Sequence, residues 1–360
     1  MTTLGTVFDR RQNGLNLLRL ILAAGVIVWH AFPLSGHTLG FAPASQLLGN
    51  VSVDGFFAIS GFLITGSWLS RPRLLSFLRA RALRLLPGFY VCLLFTALVL
   101  APVMVTLTGG SLRLADELAY MRANGLLWVT RYDISGIPTG VPYEHVWNGS
   151  IWTLAWEAIC YLGVAVLGLI GLIRRVPVVI ALFGAVLLLA LARDLGVVHH
   201  QTYLIGTGAR FALMFLAGTL IQLLAPRIPV TPLLSAVAAL LVAVAAFLPD
   251  YRLLAAIPLA YLLIVIGAAI RSPKLQLRND ISYGVYVYAF PVQQSLAMLG
   301  AWKLGVPVFA LLGILMTAPF AAASWFGVER HALRLKSLTL RRSVQPVGQD
   351  SFVKIGRVDS

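Results

Sequence analysis

Arg19 and His30 stand eleven positions apart within one apolar stretch. At about 100° per residue that spacing closes to within about 20° of three full turns. On a helix the two side chains therefore share a face, about 16 Å apart along the axis. Arginine is a permanent cation that grips anions bidentately, and histidine is the side chain that takes and returns a proton near neutral pH. Arg81 and Arg84 form an i,i+3 pair at the mouth of a later apolar run, a spacing that suits a phosphate. Two carboxylates, Asp54 and Glu157, lie at or within apolar runs, where an unpaired acid is expensive. Asp54 is expected to face His30 and pair with it. Glu157 is expected about one and a half turns below the outer surface, where it needs a partner. The plainer readings are an arginine snorkelling to headgroups, a packed histidine and a capping aspartate.

The elements that must position these groups follow from composition. Of 360 residues 59% are hydrophobic and 11% are charged, and the mean hydropathy is +0.86. Soluble domains are about 45–50% apolar and about 25% charged, so a soluble globular protein and a disordered chain are both excluded. The fold class expected is all-α, a polytopic membrane protein. Ten spans are placed at about 15–34, 50–69, 83–106, 152–173, 177–192, 204–224, 232–248, 253–270, 281–300 and 305–326. The first is expected to be retained, because it is long and Arg19 interrupts it, unlike the shorter apolar block of a secretory signal.

The net charge is +15. Its basic residues sit in short gaps between apolar runs, which argues for the positive-inside rule and against a nucleic-acid partner. With the N-terminus inside, 20 of the 28 Lys and Arg fall on one side and 7 on the other, with Arg19 intramembrane. Both termini are thus expected in the cytoplasm, and the location expected is the inner (plasma) membrane. Cys92 and Cys160 both lie in apolar runs and read as small hydrophobes; no metal cluster is expected. The long outer connection at about 108–151 is expected to be functional or disordered. Residues 1–330 read as one membrane-embedded domain, and 331–360 as a basic, disordered cytosolic tail able to touch anionic lipid.

Sorted by side, Arg19, Arg81 and Arg84 gather toward the cytoplasm, and His30, Asp54 and Glu157 toward the outside. An inner anion site and an outer acid/base site suggest a reaction conducted across the membrane. In the second span Phe57 and Gly61 follow Asp54 at +3 and +7; Ser60 and Gly61 read equally well as small residues for close helix packing. Trp152 and Trp156 read either as site residues or as interfacial belt residues. Asn148-Gly149-Ser150 is a weak glycosylation match.

At these residues the chain resembles the acyltransferase 3 family of integral-membrane acyltransferases. Arg19 and His30, ten residues between them, match its first-span motif. Val53-Asp54-Gly55-Phe56-Phe57-Ala58-Ile59-Ser60-Gly61-Phe62-Leu63 is similar to its second-span stretch. Arg81-Ala82-Leu83-Arg84 followed by Leu86-Pro87 matches its arginine pair, and Asn148 through Glu157 its Asn-Gly-Ser block. Ile281 through Tyr286, Phe290-Pro291 and Glu329-Arg330 resemble its late motifs. Ala289 departs from the pattern, since many members carry a histidine there.

The resemblance implies transfer of an acyl group, often acetyl, from cytosolic acyl-CoA to an acceptor hydroxyl on a cell-envelope polysaccharide or glycolipid. Acyl-CoA enters as donor substrate, with no tightly bound cofactor. His30, Glu157 and Asp54 are then expected to be catalytic, Arg19, Arg81 and Arg84 to bind acyl-CoA, and Phe57, Ser60, Trp152 and Tyr283 to line the site. Members with an added extracytoplasmic domain are longer, so a separate extracytoplasmic partner is an option. The competing reading is a secondary transporter or lipid flippase, for which inverted repeats and paired broken helices would be expected; neither is evident.

Overall fold

Prolines open many of the apolar runs. Pro43, Pro177, Pro232 and Pro307 each stand in the first turn of a helix, where the missing N–H has no partner to lose and the fixed φ suits helix initiation. The computed structural model describes residues 2–197 and 203–335. Among them there is no β-strand, and the fold is all-helical. Its helices are α1 Leu4–Val7, α2 Leu15–Leu34, α3 Ala42–Ser70, α4 Leu74–Phe95, α5 Ala101–Thr108, α6 Leu114–Asn124, α7 Thr153–Leu169, α8 Val176–Asp194, α9 Tyr203–Leu224, α10 Pro232–Ala245, α11 Arg252–Ala269, α12 Ser282–Met298 and α13 Val306–Ser324.

A π-helical stretch, Thr96–Leu100, joins α4 to α5 in one continuous rod. A second, Trp325–Glu329, follows α13. Each of the ten expected spans overlaps a helix, and seven helices are long and apolar enough to cross a membrane. Thr153–Leu169 and Pro232–Ala245 are apolar but shorter. Helix α12 is buried almost all round and carries Gln293 and Gln294 at its core, so burial in protein rather than lipid accounts for its polar content.

Helix α3 packs against α2 and α9, and α12 against α2 and α13. The α3–α9 crossing is close because glycines face backbone there. A Cβ on Gly61 would lie 2.0 Å from the Phe215 carbonyl oxygen, and one on Gly218 1.9 Å from that of Ala58. The Thr65 and Thr219 hydroxyls bond across the same seam at 3.0 Å, as small-residue contacts in membranes do. Phe57 stacks on Phe211 with centroids 4.2 Å apart.

Three boundaries differ from expectation. Helix α3 begins at Ala42, so Asp54 sits mid-helix rather than at its mouth. Helix α4 begins at Leu74, so Arg79, Arg81 and Arg84 are helical, not loop, residues. The 108–151 connection contains α6 and is tied down: Arg131 pairs with Asp116 at 3.0 Å, and the Asn124 amide donates to the Arg131 carbonyl at 2.7 Å. The expected disordered tail lies mostly outside the described residues; its described part, 331–335, is helical.

Candidate functional site

Two adjoining cavities run along the face of α2 that carries Arg19 and His30. The smaller, about 30 Å³, is walled by Arg19 of α2, Phe56, Phe57 and Ser60 of α3, Glu157 of α7, and Tyr283 and Tyr286 of α12. It is room for about one or two waters. Glu157 accepts hydrogen bonds from Ser60 Oγ at 3.3 Å and from the Tyr161 hydroxyl. It makes no ion pair among the described residues. Sequence reasoning set Glu157 beside His30 at the outer end; the structure sets it with Arg19. The cause is that the chain before α7 dips into the bundle, with Trp147, Asn148 and Ser150 buried, so α7 starts deeper than an interfacial helix would.

The larger cavity, about 240 Å³, is lined by His30, Asn50, Ser150, Trp152 and Arg210, among others. Val53, Thr153 and Tyr286 wall both cavities, so the two abut. His30 meets Phe290 edge-on, with centroids 5.0 Å apart at 76°. Its Nδ1 is buried without a hydrogen-bond partner, as is Ser150 Oγ. The Asn-Gly-Ser block shapes this chamber. Asn148 donates to the Val287 carbonyl at 3.0 Å, and the Tyr286 hydroxyl donates to the Ser150 carbonyl at 2.9 Å. A Cβ on Gly149 would lie 2.5 Å from the Phe290 ring; glycine lets that ring lean on His30. With its amide used inside the bundle, Asn148 is a structural residue rather than a surface sequon. Trp152 and Trp156 both pack toward Phe211, at 5.6 and 6.3 Å.

The arginines are not open to an incoming anion as their spacing suggested. Arg19 Nη1 and Arg84 Nη2 both bond to Asp280 Oδ2, at 2.6 and 2.5 Å. Arg84 also lies 3.7 Å from Glu329, which the π-turn after α13 brings in. Asp280 belongs to the connection before α12. Burial alone would raise its carboxyl, but Arg19 and Arg84 outweigh that and hold it below the ordinary aspartate value. Arg81 stands apart: its guanidinium lies over the rings of Phe77 and Tyr161, and its Nε is buried without a partner.

Asp54 does not face His30. Its carboxylate takes Arg210 Nε at 3.0 Å on one oxygen, and Arg252 Nε and the Tyr251 hydroxyl, each at 2.6 Å, on the other. It is fully buried, and it ties α3 to α9 and α11. No one-dimensional signal pairs Arg210, Arg252 or Asp280 with their partners, which lie about 150–260 positions away. Tyr286 appeared only inside a motif block, although it walls both cavities. Ala289 is fully buried, in an apolar cluster with Ala23, Ile27 and Ala321. No group of metal-ligating side chains occurs among the described residues.

A family model described as an acyltransferase domain, that of acyltransferase 3, matches residues 12–326. The chain is 25% identical over 334 residues to a protein named O-acetyl transferase from Shigella phage Sf6, covering 91% of this chain and 98% of that one. It is 28% identical over 369 residues to Nodulation protein 10 of Rhizobium leguminosarum bv. viciae, covering 92% and 96%. No solved structure matches.

Proposed function

Since this chain belongs to the acyltransferase 3 family, and so is a multi-pass membrane acyltransferase, we propose that it moves an acetyl group from cytosolic acyl-CoA to a hydroxyl of a cell-envelope glycan or glycolipid. The name of the phage relative supports an oxygen acceptor and an acetyl donor group. In this reading ten helical spans, seven of them long and apolar enough by length and composition, cross the inner membrane with both termini cytoplasmic, as the 20-to-7 split of basic residues favours.

One observation carries this reading. Two abutting cavities are walled by Arg19 and Arg210, by a carboxylate that makes no ion pair among the described residues, and by a histidine whose Nδ1 has no hydrogen-bond partner among them. Buried polar groups are normally satisfied, and under-satisfied ones gathered on one cavity wall suit a substrate. The acceptor hydroxyl attacks the thioester carbonyl while His30 takes its proton. The carbon–sulfur bond then breaks, and the imidazolium returns the proton to the leaving thiolate. Glu157, fixed by Ser60 and Tyr161, positions the hydroxyl. Arg19, Arg81 and Arg84 flank the donor on the cytoplasmic side. Phe57, Ser60 and Tyr283 wall the inner part of the path and Trp152 the outer part. Asp54 serves through Arg210, which it holds against the outer cavity.

A covalent relay, in which His30 itself accepts the acyl group, uses the same free nitrogen. Radiolabelled acyl retained on denatured wild-type protein, and absent from His30→Ala, would select the relay. The test of the whole proposal is release of free thiol from acetyl-CoA by purified protein in detergent. An acyltransferase supplied with envelope extract releases it; a transporter or flippase does not. Mass spectrometry of envelope glycans and lipids from a deletion strain would identify the acceptor by the lost acyl mass.

A further inference from the structure

A third cavity, about 430 Å³, opens between the N-terminal segment, α3 and α4. Its lining includes Arg10, Arg71, Ser67, Ser70, Ser76 and Phe77, and no carboxylate. That sets it apart from the Arg19–Arg84 cluster, where any phosphate must first displace Asp280. Arg10 is held in place by Ser70 Oγ at 2.6 Å and the Gly66 carbonyl at 2.9 Å. A Cβ on Gly66 would come within 2.7 Å of its Nη2, so glycine there admits the guanidinium. Those two bonds leave roughly three of its five N–H donors free. Arg71 has no ion pair among the described residues. Ser76 lies in the first turn of the 22-residue α4, whose leading amides and dipole favour an anion.

The cavity also continues the catalytic path. Val53, Phe56, Ser60, Leu63, Ser67 and Ser70 recur at alternating intervals of three and four along α3, which is one stripe of a helix. The first three wall the Arg19–Glu157 cavity and the last three wall this one. Ser60 and Ser70 are about 15 Å apart along the axis.

We infer that this cavity receives the phosphorylated nucleotide end of the acyl-CoA donor, with Arg10 and Arg71 on its phosphates and the pantetheine arm laid along the α3 stripe toward Glu157. The inference rests on the acyltransferase reading above. The shared chemistry is a phosphate ester, which a lipid headgroup also carries.

Titration of CoA into the full-length protein in lipid-free detergent separates these outcomes. Arg71→Ala is expected to weaken CoA binding by about tenfold and Arg71→Glu by more, while Arg71→Lys keeps part of the affinity. Adenosine bisphosphate, the nucleotide end without the arm, should displace CoA from wild type. Wild-type CoA affinity in Arg71→Ala and Arg71→Glu, with loss in Arg84→Ala, would overturn the assignment and move the phosphates to the Arg84 cluster. CoA binding indifferent to Arg71, with phosphatidylglycerol binding dependent on it, would assign the cavity to a lipid headgroup. A wild-type protein that binds no CoA would instead fail the donor reading itself.

Discussion

Asp54 and Glu157 are both carboxylates inside the helical bundle, and they are held in opposite ways. Asp54 is sealed from solvent and gives both oxygens to cationic or phenolic donors on two other helices. Glu157 stands on a cavity wall with two hydroxyls and, among the described residues, no ion pair. The first arrangement has little left to offer a substrate; removing Asp54 takes from Arg210 its acid and from Arg252 one of two. The second retains lone pairs and a charge that a reacting group can meet. The same contrast separates Arg84, which shares Asp280 with Arg19 and nears Glu329, from Arg71, which makes no ion pair among the described residues. Satisfaction, more than burial or residue type, distinguishes scaffold from site.

That contrast can be broken most forcefully at Asp54. Asp54→Ala takes the acid from Arg210 and leaves Arg252 with Asp250 alone, and is expected to cost about 3–5 kcal/mol of stability, seen as a large drop in thermal midpoint in detergent. A fully stable Asp54→Ala that had lost only transfer would place Asp54 in the chemistry. Glu157→Gln is expected to do the reverse. It keeps the shape and the midpoint while slowing transfer by about a hundredfold or more; full transfer with normal folding would make Glu157 scaffold. Gly149→Ala drives a methyl into the Phe290 ring and is expected to destabilise by about 1–3 kcal/mol, with transfer reduced through the displaced support of His30. Unaltered transfer there would detach Phe290 from function.

The smallest effect concerns pH. Asp280 is held below the ordinary aspartate value, so the stability it contributes is complete above that value. The contribution is lost only as pH falls through the depressed folded value. The wild-type midpoint should therefore show an acid decrement below the ordinary carboxylate range that Asp280→Asn lacks. Identical acid profiles would mean the Asp280 bridge carries no folding energy.

What the sequence made legible was periodic and local. The Arg19–His30 spacing put both side chains on one helical face, and each lines one of two abutting cavities. Apolar runs located the helices, because lipid and core demand the same continuous hydrophobicity. The partners of the ionisable groups were not legible. Asp54, Arg210 and Arg252 meet only because α3, α9 and α11 pack together, and Asp280 meets Arg19 and Arg84 only because the connection before α12 comes to α2 and α4. The depth of Glu157 depended on a connection that re-enters the bundle, a feature with no hydrophobic period. Helix mouths blurred for the same reason: α4 begins at Leu74 and runs through Arg79, Arg81 and Arg84, ahead of the apolar run that marked its span.

The central claim is that the unpartnered nitrogen of His30 does the chemistry between donor and acceptor. It is tested most directly by measuring radiolabelled acetyl transfer from acetyl-CoA to envelope extract by purified wild type and His30→Ala, with the thermal midpoint of each recorded alongside. The account predicts a loss of about a hundredfold to ten-thousandfold in transfer with the midpoint essentially kept, since Nδ1 has no hydrogen bond to lose. Transfer at the wild-type rate by folded His30→Ala would contradict it.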